Sequence, residues 1–563
     1  MSKNKQPNQS VNLHGQELLR DPLLNKGSAF TLAERKAFGL EGLIPHAVTT
    51  MDVQASRVHQ QFSRIHDDFD KYIALSSLQD RNEQLFYRLL SDHLEEYMPI
   101  VYTPTVGLAT QQYSHAFRRG RGLWITPDHK GKMRELLEHI AERRSISLIV
   151  VTDGESILGI GDQGAGGMAI SIGKLALYSA GAGIDPATTL PISLDFGTNN
   201  PELLNDEYYL GWPHSRLSGE AYDELVAEFV AAVKEVFPCV LLQWEDFRKD
   251  NALSLMETYR GQITSFNDDI QGTGAVALSG VVTSLRVTGE SLENLRIVIA
   301  GAGAAGIGIS RQLRSAMLST QSGKDKNKPV IAVADSRGLI IEDNLSADSY
   351  KREMAWTKED LKTFGLDASA TPNLHELVAA VKPHVLIGTS GQAGAFDQAM
   401  VTEMAKHVER PLIMPFSNPT SHSEALPKSL YEWTDGKCLV ATGSPFDPVT
   451  YNDKQYHIGQ GNNVFIFPGL GLAAIIGSIS NITDEQISAA AIALSENVSA
   501  EELESGLLYP SVSRMQHVSE KVAEAVLLQA RKEGLTDIDS ADAIQKAIDD
   551  ARWTPLYQDY VQG

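Results

Sequence analysis

The chain has 563 residues and a formal net charge of −22, with 42% hydrophobic and 21% charged residues. This length exceeds the usual size of a single hydrophobic core, so we expect a globular protein of two or more domains. The acidic balance argues against a nucleic-acid partner, because contacts to phosphates need a basic face.

The first segment, residues 1–25, is polar and is expected to be loosely ordered. It lacks the apolar stretch of a signal peptide, and the apolar run GLGLAAIIGSI at 469–479 is too short to span a bilayer. We therefore expect a cytoplasmic protein with no membrane partner. The two cysteines, Cys239 and Cys438, lie in strand-like runs, which predicts reduced core residues instead of a disulfide.

Residues 1–120 are interpreted as a helical N-terminal domain. Thr31 and Glu34 have the spacing of a capping box at the start of a helix. Apolar residues recur at three- and four-residue spacing through residues 51–97, as expected for amphipathic helices.

From residue 121 onward, short apolar runs alternate with helical segments, which predicts a parallel sheet covered by helices. The runs are GLWIT, ISLIVVTDG, LPISLDFG and CVLLQWEDF. We interpret residues 121–267, together with a helical return at 463–530, as a discontinuous domain for substrate and metal. Residues 531–563 are predicted to form a C-terminal helical tail.

Two short acidic segments, WEDF and FNDD, stand beside aromatic and apolar residues. Burying carboxylates in such surroundings is costly unless a positive group compensates. A divalent cation would do so, and an all-oxygen donor set favours magnesium or manganese over zinc. We therefore predict Glu245, Asp246 and Asp269 as metal ligands. Asp268, next to one of them, is expected to act as a hydrogen-bonding partner.

The segment LRIVIAGAGAAGIGISRQL predicts a strand, a glycine turn and a helix, the context of a dinucleotide fingerprint. Gly301 would permit the tight turn, and Gly303 would let backbone N–H groups approach a pyrophosphate. Gly306 would let the helix pack on the strand. Residues 268–462 are accordingly interpreted as a Rossmann-type NAD-binding domain in an α/β protein.

The choice between nicotinamide cofactors depends on the end of the second strand of that unit. Asp335 stands there and is predicted to accept hydrogen bonds from an adenosine ribose. A carboxylate repels a 2′-phosphate, which favours NAD over NADP, whereas Arg337 nearby could pair with such a phosphate. A metal and a nicotinamide in one chain together indicate oxidation of a hydroxy acid whose product the metal polarises.

A collinear series of motifs resembles the malic enzymes over nearly the whole chain. The motifs are YTPTVG, TDGESILGIGDQGAGGM, GKLALY, FNDDIQGTG, SNPT, ATGSPF and GQGNNVFIFPG. The resemblance implies oxidation of (S)-malate at C2 with NAD, followed by decarboxylation of oxaloacetate to pyruvate and CO2 with Mn²⁺ or Mg²⁺. It also implies a homo-oligomer, either a dimer or a tetramer.

The same resemblance implies roles for residues at matching positions. The three predicted metal ligands occupy the family's ligand positions. Lys174 of GKLALY matches the base that takes the C2 hydroxyl proton, and Tyr102 of YTPTVG matches the acid that protonates the enol. Asp268 is expected to position Lys174. Asn418 of SNPT and Asn463 of GNN match amides that bind the substrate carboxylate and the cofactor.

The chain departs from the family at Ser156, where malic enzymes normally carry an arginine that binds the carboxylate of malate. Serine cannot make the charge-assisted bidentate bond of an arginine. Malolactic enzymes, which convert malate directly to lactate and CO2 with NAD and Mn²⁺, also lack this arginine and are the alternative. Ser156 and the run YHIGQ favour them, whereas YTPTVG and ATGSPF favour malic enzyme. A third interpretation is a non-catalytic relative that binds NAD and malate.

Overall fold

A computed structural model describes residues 9–321, 328–344, 349–367 and 369–563. Two sheets, one of five strands and one of seven, follow a helical N-terminal region, so the predicted α/β fold class is confirmed.

The N-terminal region, as far as residue 116, consists of helices and one short strand. These are β1 (Gln9–Val11), α1 (Gly15–Arg20), α2 (Leu32–Ala37), α3 (Met51–Phe62), α4 (Asp68–Gln79), α5 (Glu83–Asp92), α6 (Leu94–Val101), α7 (Thr105–Gln111) and α8 (Tyr113–Ala116). The predicted capping box at the start of α2 is confirmed. The Thr31 hydroxyl accepts a hydrogen bond from the Glu34 N–H, and the Glu34 carboxylate accepts one from the Thr31 N–H.

The first sheet is parallel throughout, with strand order β2-β4-β3-β5-β6. Its strands and the helices between them are β2 (Leu123–Ile125), α9 (Met133–Ala141), β3 (Leu148–Thr152), α10 (Met168–Ala182), β4 (Thr189–Leu194), α11 (Pro201–Leu204), α12 (Glu220–Val236), β5 (Leu241–Trp244), α13 (Lys249–Tyr259) and β6 (Ser265–Asn267). The prediction that Cys239 is a buried strand residue was wrong. It is exposed, because it lies in the turn that precedes β5. Cys438 is buried as predicted.

A single π-helical turn, Asp268–Gly272, leads from β6 into the second half of the chain. There follow α14 (Thr273–Thr288), β7 (Arg296–Ala300), α15 (Ala304–Thr320), β8 (Val330–Asp335), β9 (Gly338–Leu339), α16 (Ser349–Arg352), α17 (Lys358–Thr363), α18 (Leu374–Val381), β10 (Val385–Gly388), α19 (Gln398–His407), β11 (Leu412–Pro415), α20 (Pro427–Trp433), β12 (Leu439–Thr442), β13 (Val449–Tyr451), β14 (Lys454–Tyr456) and β15 (Gly459–Gln460). The second sheet has the order β15-β12-β11-β10-β7-β8-β9 and is parallel except for β9.

The C-terminal segment is helical and packs back onto both halves of the protein. It comprises α21 (Phe467–Ile476), α22 (Asp484–Glu496), α23 (Ala500–Glu504), α24 (Met515–Glu533), α25 (Ala541–Ala551) and β16 (Tyr560–Gln562). Helix α21, the glycine-rich apolar run of the sequence, contacts α10, and α22 contacts α14. Among the described residues, no helix is both long and apolar enough to cross a membrane.

The expectation of a loose N-terminal segment was wrong for residues 9–25. Strand β1 pairs in parallel with β16 at the other end of the chain. The buried Lys26 side chain donates hydrogen bonds to Glu34 and to the carbonyl oxygen of Gln558. The local sequence is polar and does not reveal this pairing, because the partner lies more than 500 residues away. Residues 1–8 lie outside the described residues.

The junction between the two sheets is a close backbone contact. A Cβ atom added at Gly308 of α15 would lie 2.2 Å from the carbonyl oxygen of Ile270 in the π-helical turn. A side chain at this position would push the two elements apart. The helix that follows the dinucleotide fingerprint therefore rests directly on the turn that carries Asp268 and Asp269.

We expect Gly308→Ala to destabilise the protein by about 1–3 kcal/mol, the usual cost of overpacking a tight contact. Gly303→Ala is the matched control for stability, since a Cβ added at Gly303, near the same end of α15, would meet no atom within 4 Å. Chemical denaturation measures both. Equal stabilities of the two variants would contradict the close contact.

Candidate active site

Three carboxylates converge at the carboxyl end of the first sheet. Glu245 and Asp246 follow β5, and Asp269 follows β6. Because these strands are parallel neighbours, their carboxyl ends meet at the same edge of the sheet. One oxygen from each carboxylate lies within 4.8 Å of the others, a spacing that could hold a metal ion. The Asp246 N–H also donates a 2.8 Å hydrogen bond to the Asp269 carboxylate.

The electrostatics of this cluster fit a divalent cation. Burial, reinforced by repulsion from neighbouring carboxylates, raises the pKa of Glu245 to about 8 and that of Asp269 to about 6. The same two causes raise the pKa of Asp246 well above its usual range. Asp246 Oδ2 is buried and has no hydrogen-bond partner among the described residues. An all-oxygen set with more negative charge than its neighbours balance is suited to Mg²⁺ or Mn²⁺.

Lys174 of α10 lies beside the cluster and is 1% exposed. Its Nζ atom is 2.8 Å from Asp268 Oδ2 and 2.8 Å from Glu245 Oε1. Burial lowers the pKa of Lys174, but the two carboxylates outweigh burial and hold this pKa well above its ordinary value. Nζ also lies 4.3 Å from the centre of the Phe467 ring, which contributes to a shielded pocket around the ammonium group.

Tyr102, at the end of α6, reaches the same place from the N-terminal domain. Its ring centre lies 4.8 Å from Lys174 Nζ, and its hydroxyl donates a 3.5 Å hydrogen bond to Glu245. Burial raises the pKa of Tyr102 well above its ordinary value, so the hydroxyl stays protonated at neutral pH.

The two predicted amides occupy different parts of the site. Asn463 Nδ2 donates to the Asp268 carboxylate at 3.0 Å and to the Thr273 hydroxyl at 3.1 Å. It therefore orients Asp268, which in turn holds Lys174. Asn418 lies on the loop after β11, is exposed, and accepts a hydrogen bond from Ser444.

Ser156 lies directly against the acidic cluster. Its backbone N–H donates a 3.2 Å hydrogen bond to the Asp246 carbonyl oxygen, and the Leu158 N–H bonds the Asp246 carboxylate. One residue further, a Cβ added at Gly159 would lie 2.8 Å from the Asn418 carbonyl oxygen. The loop around Ser156 thus bridges the acidic cluster and the Asn418 loop of the second sheet.

The dinucleotide fingerprint connects β7 to α15. Gly301 has a φ of +122°, and a Cβ there would lie 2.5 Å from the Thr389 carbonyl oxygen. A Cβ at Gly306 would lie 2.0 Å from the Gly301 carbonyl oxygen, whereas the space at Gly303 is open. The turn is therefore closed on its protein side and open where a pyrophosphate would approach the helix N-terminus.

Asp335 is already paired at the end of β8. Lys351 Nζ lies 2.6 Å from its carboxylate, and the Arg337 N–H donates to it at 2.8 Å. Although burial raises the pKa of Asp335, these partners hold it below its usual range. A ribose bound there would share the carboxylate with two cationic residues.

The sequence reasoning missed Gln243 and Tyr178. Gln243 Nε2 donates to the Glu245 carboxylate, and the Tyr178 hydroxyl donates to Gln243 Oε1. Strand periodicity could have found Gln243, because it lies in β5 two residues before Glu245 and an extended chain directs such residues to the same side. Helix periodicity could have found Tyr178, four residues after Lys174 on α10.

A carboxylate cluster for a divalent cation, packed against a dinucleotide turn, is the arrangement of a metal-dependent oxidoreductase. Comparison with known proteins identifies the family. Residues 79–260 match the malic enzyme N-terminal domain, and residues 270–531 match the malic enzyme NAD binding domain. The chain belongs to the malic enzyme family, as its motifs predicted.

Individual relatives agree over the full length. The chain is 45% identical to an NAD-dependent malic enzyme of Photorhabdus laumondii, covering 97% of this chain and 96% of that protein. It is 46% identical to NAD-dependent malic enzyme 3 of Bacillus subtilis, with the same coverage. Among solved structures, the Entamoeba histolytica malic enzyme shares the fold with a TM-score of 0.55, at 22% identity and 91% coverage of both chains.

We expect Mn²⁺ to raise the thermal unfolding midpoint more at about pH 8 than at about pH 6. The folded-state pKa values of Glu245 and Asp269 lie above their unfolded values. The metal-free protein therefore loses stability as pH rises through about 6 and 8. A cation binds the ionised carboxylates, so its effect grows over this window, reaching about 2.7 kcal/mol at a hundredfold excess over Kd.

Asp246→Asn is the control for this measurement, because it keeps the size of the side chain and removes one ligand charge. It should abolish most of the Mn²⁺-induced shift at both pH values. A shift as large as that of the unaltered protein would contradict the assignment of the cluster.

Proposed function

We propose that this malic enzyme oxidises (S)-malate at C2 with NAD and decarboxylates the oxaloacetate to pyruvate and CO2. The observation that carries the proposal is the position of Lys174 between Asp268 and Glu245, with Glu245 also part of the cation cluster. A proton acceptor that contacts a member of the cation cluster suits the oxidation of an alcohol, whose hydroxyl oxygen loses a proton while its carbon loses a hydride.

In the oxidation, Lys174 takes the C2 hydroxyl proton while the C2 hydride passes to C4 of the nicotinamide. Its ammonium group cannot accept a proton as long as the unbalanced carboxylates of Asp268 and Glu245 hold its pKa high. A divalent cation, when bound there, would offset that negative charge and would supply Lewis-acid chemistry toward the substrate oxygens. Glu245, Asp246 and Asp269 would hold this cation, which we take to be Mn²⁺ or Mg²⁺.

In the decarboxylation, the C3–C4 bond breaks and CO2 leaves. The electron pair of that bond forms the C2–C3 double bond of the enolate, and the proton that Lys174 took from the hydroxyl returns to the C2 oxygen to give the enol of pyruvate. Tyr102 then gives its proton to C3. The high pKa of the Tyr102 hydroxyl keeps this proton available. The contacts of Tyr102 with Glu245 and Lys174 provide a route by which the hydroxyl regains a proton after it has given one away. Asp268, held by Asn463, keeps Lys174 in place through both steps.

The cofactor would lie on the turn of Gly301, Gly303 and Gly306, with its adenosine ribose at Asp335. Asn418, next to the Ser156 loop, would donate its amide to the substrate or to the nicotinamide half of the cofactor. We further propose that the enzyme works in the cytoplasm, in keeping with its two unpaired cysteines. We also propose assembly into a homodimer or tetramer.

Product identification tests the reaction. With malate, NAD and Mn²⁺, we expect NADH and pyruvate to appear in equal amounts, as measured by absorbance and by chromatography. Lactate with no net NADH would instead identify a malolactic enzyme, the outcome that Ser156 leaves open. Binding of NAD and malate without either product would indicate a non-catalytic relative.

We expect Lys174→Met to lower kcat by about 10²–10⁴-fold with little change in the KM for NAD, because the proton acceptor is lost while the dinucleotide turn is unaltered. Lys26→Met is the matched control. Lys26 is also buried and paired with a carboxylate, that of Glu34, but it lies in the N-terminal domain. The Lys26→Met variant should be less stable than the unaltered protein but should have the same kcat. Equal losses of kcat and NAD affinity in Lys174→Met would indicate a structural role.

A further inference from the structure

The active site lacks positive charge for its substrate. The buried group consists of the carboxylates of Glu245, Asp246, Asp268 and Asp269 and the ammonium group of Lys174. With all five groups ionised it carries a net charge of −3, which a divalent cation reduces to −1. The proposed substrate, malate, is a dianion. Binding a dianion in a site of negative net charge requires a further cation close by.

The loop of residues 153–161 is where such a cation would be placed, since it lies between the acidic cluster and the Asn418 loop. Ser156 occupies the middle of this loop and bonds the Asp246 backbone, but its hydroxyl is neutral. Ser156 therefore borders the proposed substrate site but supplies no positive charge to it.

Arg248 contacts this loop through an ion pair with Glu155. It follows Asp246 by two residues, and its Nη1 atom lies 3.4 Å from the carboxylate of Glu155, the neighbour of Ser156. The side chain is 58% exposed. A guanidinium group has five N–H donors in a fork, so contact with Glu155 through one nitrogen leaves capacity for a planar carboxylate.

Two further observations set Arg248 apart from other cations nearby. It stands at the N-cap of α13, where an arginine makes no side-chain cap and its charge opposes the helix dipole. Its position is therefore poor for helix stability. Arg216, in contrast, is buried and donates to Asp162 and to the Asp153 carbonyl oxygen, and Lys174 is held by two carboxylates.

We propose that Arg248 is the specificity-determining residue that binds the C1 carboxylate of the substrate, the one retained in pyruvate. The inference rests on the proposed function. A cation paired with the C4 carboxylate would stabilise the charge that must leave that group during decarboxylation and would slow the step. A cation on C1 stays paired from malate to pyruvate, so it improves binding without opposing either step.

Steady-state kinetics of Arg248→Gln test the proposal. We expect the KM for malate and the inhibition constant of pyruvate to rise together by about 10–100-fold, the scale for losing a hydrogen-bonded charge pair. The KM for NAD should not change. Arg248→Lys, which keeps the charge, should show a smaller rise, and thermal unfolding establishes that each variant is folded.

Arg260→Gln is the matched control, since Arg260 caps the other end of α13, is exposed and also pairs with a carboxylate, that of Asp484. It should leave all three constants unchanged. Glu155→Gln distinguishes a role of Arg248 in binding the substrate from a role in stabilising the loop of residues 153–161. If Arg248 binds substrate, freeing it from Glu155 should leave the KM for malate unchanged or lower it. If Arg248 only braces the loop, Glu155→Gln should raise this KM as much as Arg248→Gln does.

Ser156→Arg in the Arg248→Gln background should restore at least part of the malate affinity, because both positions border the same carboxylate. The proposal is overturned if Arg248→Gln matches Arg260→Gln, if Glu155→Gln reproduces its effect, if pyruvate inhibition is unaffected, or if Ser156→Arg restores nothing. Failure of the proposed function has a different signature: the unaltered protein would then produce no pyruvate and NADH from malate.

Discussion

The buried contact of Lys174 with Asp268 and Glu245 is the interaction on which the site depends. It joins α10, the end of β5 and the π-helical turn after β6, and Asn463 extends it to the segment that enters α21. Four carboxylates share one ammonium group at this point, so the protein holds unbalanced negative charge in its interior. That charge is costly in the metal-free state and is the reason why the cluster suits a divalent cation.

The second constraint is the backbone contact between Ile270 and Gly308. It fixes the helix behind the dinucleotide turn against the turn that carries Asp268 and Asp269. The predicted cofactor turn and the carboxylate cluster are therefore joined through this backbone contact. Helices α21 and α22 reinforce the junction by packing on α10 and α14.

The sequence predicted those features that local patterns encode. Apolar runs located most strands, the glycine turn located the dinucleotide unit, and the acidic segments beside Trp244 and Phe266 indicated a metal-binding cluster. Features that depend on distant pairing could not be predicted, such as the strand formed by residues 9–11 and the contact of Asn463 with Asp268. Cys239 was misplaced because a strand-like run extends beyond the strand itself. The ion pair of Arg248 with Glu155 likewise required the fold, since no spacing rule connects two loops.

The central claim is that a metal held by the three carboxylates lies next to the nicotinamide. Paramagnetic relaxation tests it most directly, because Mn²⁺ accelerates the relaxation of nearby protons steeply with proximity. With Mn²⁺ and NADH bound, the nicotinamide C4 protons should relax much faster than in the NADH complex without Mn²⁺. Asp246→Asn should abolish this acceleration while NADH stays bound. Unchanged relaxation in the unaltered protein, with both ligands shown to be bound, would contradict the account.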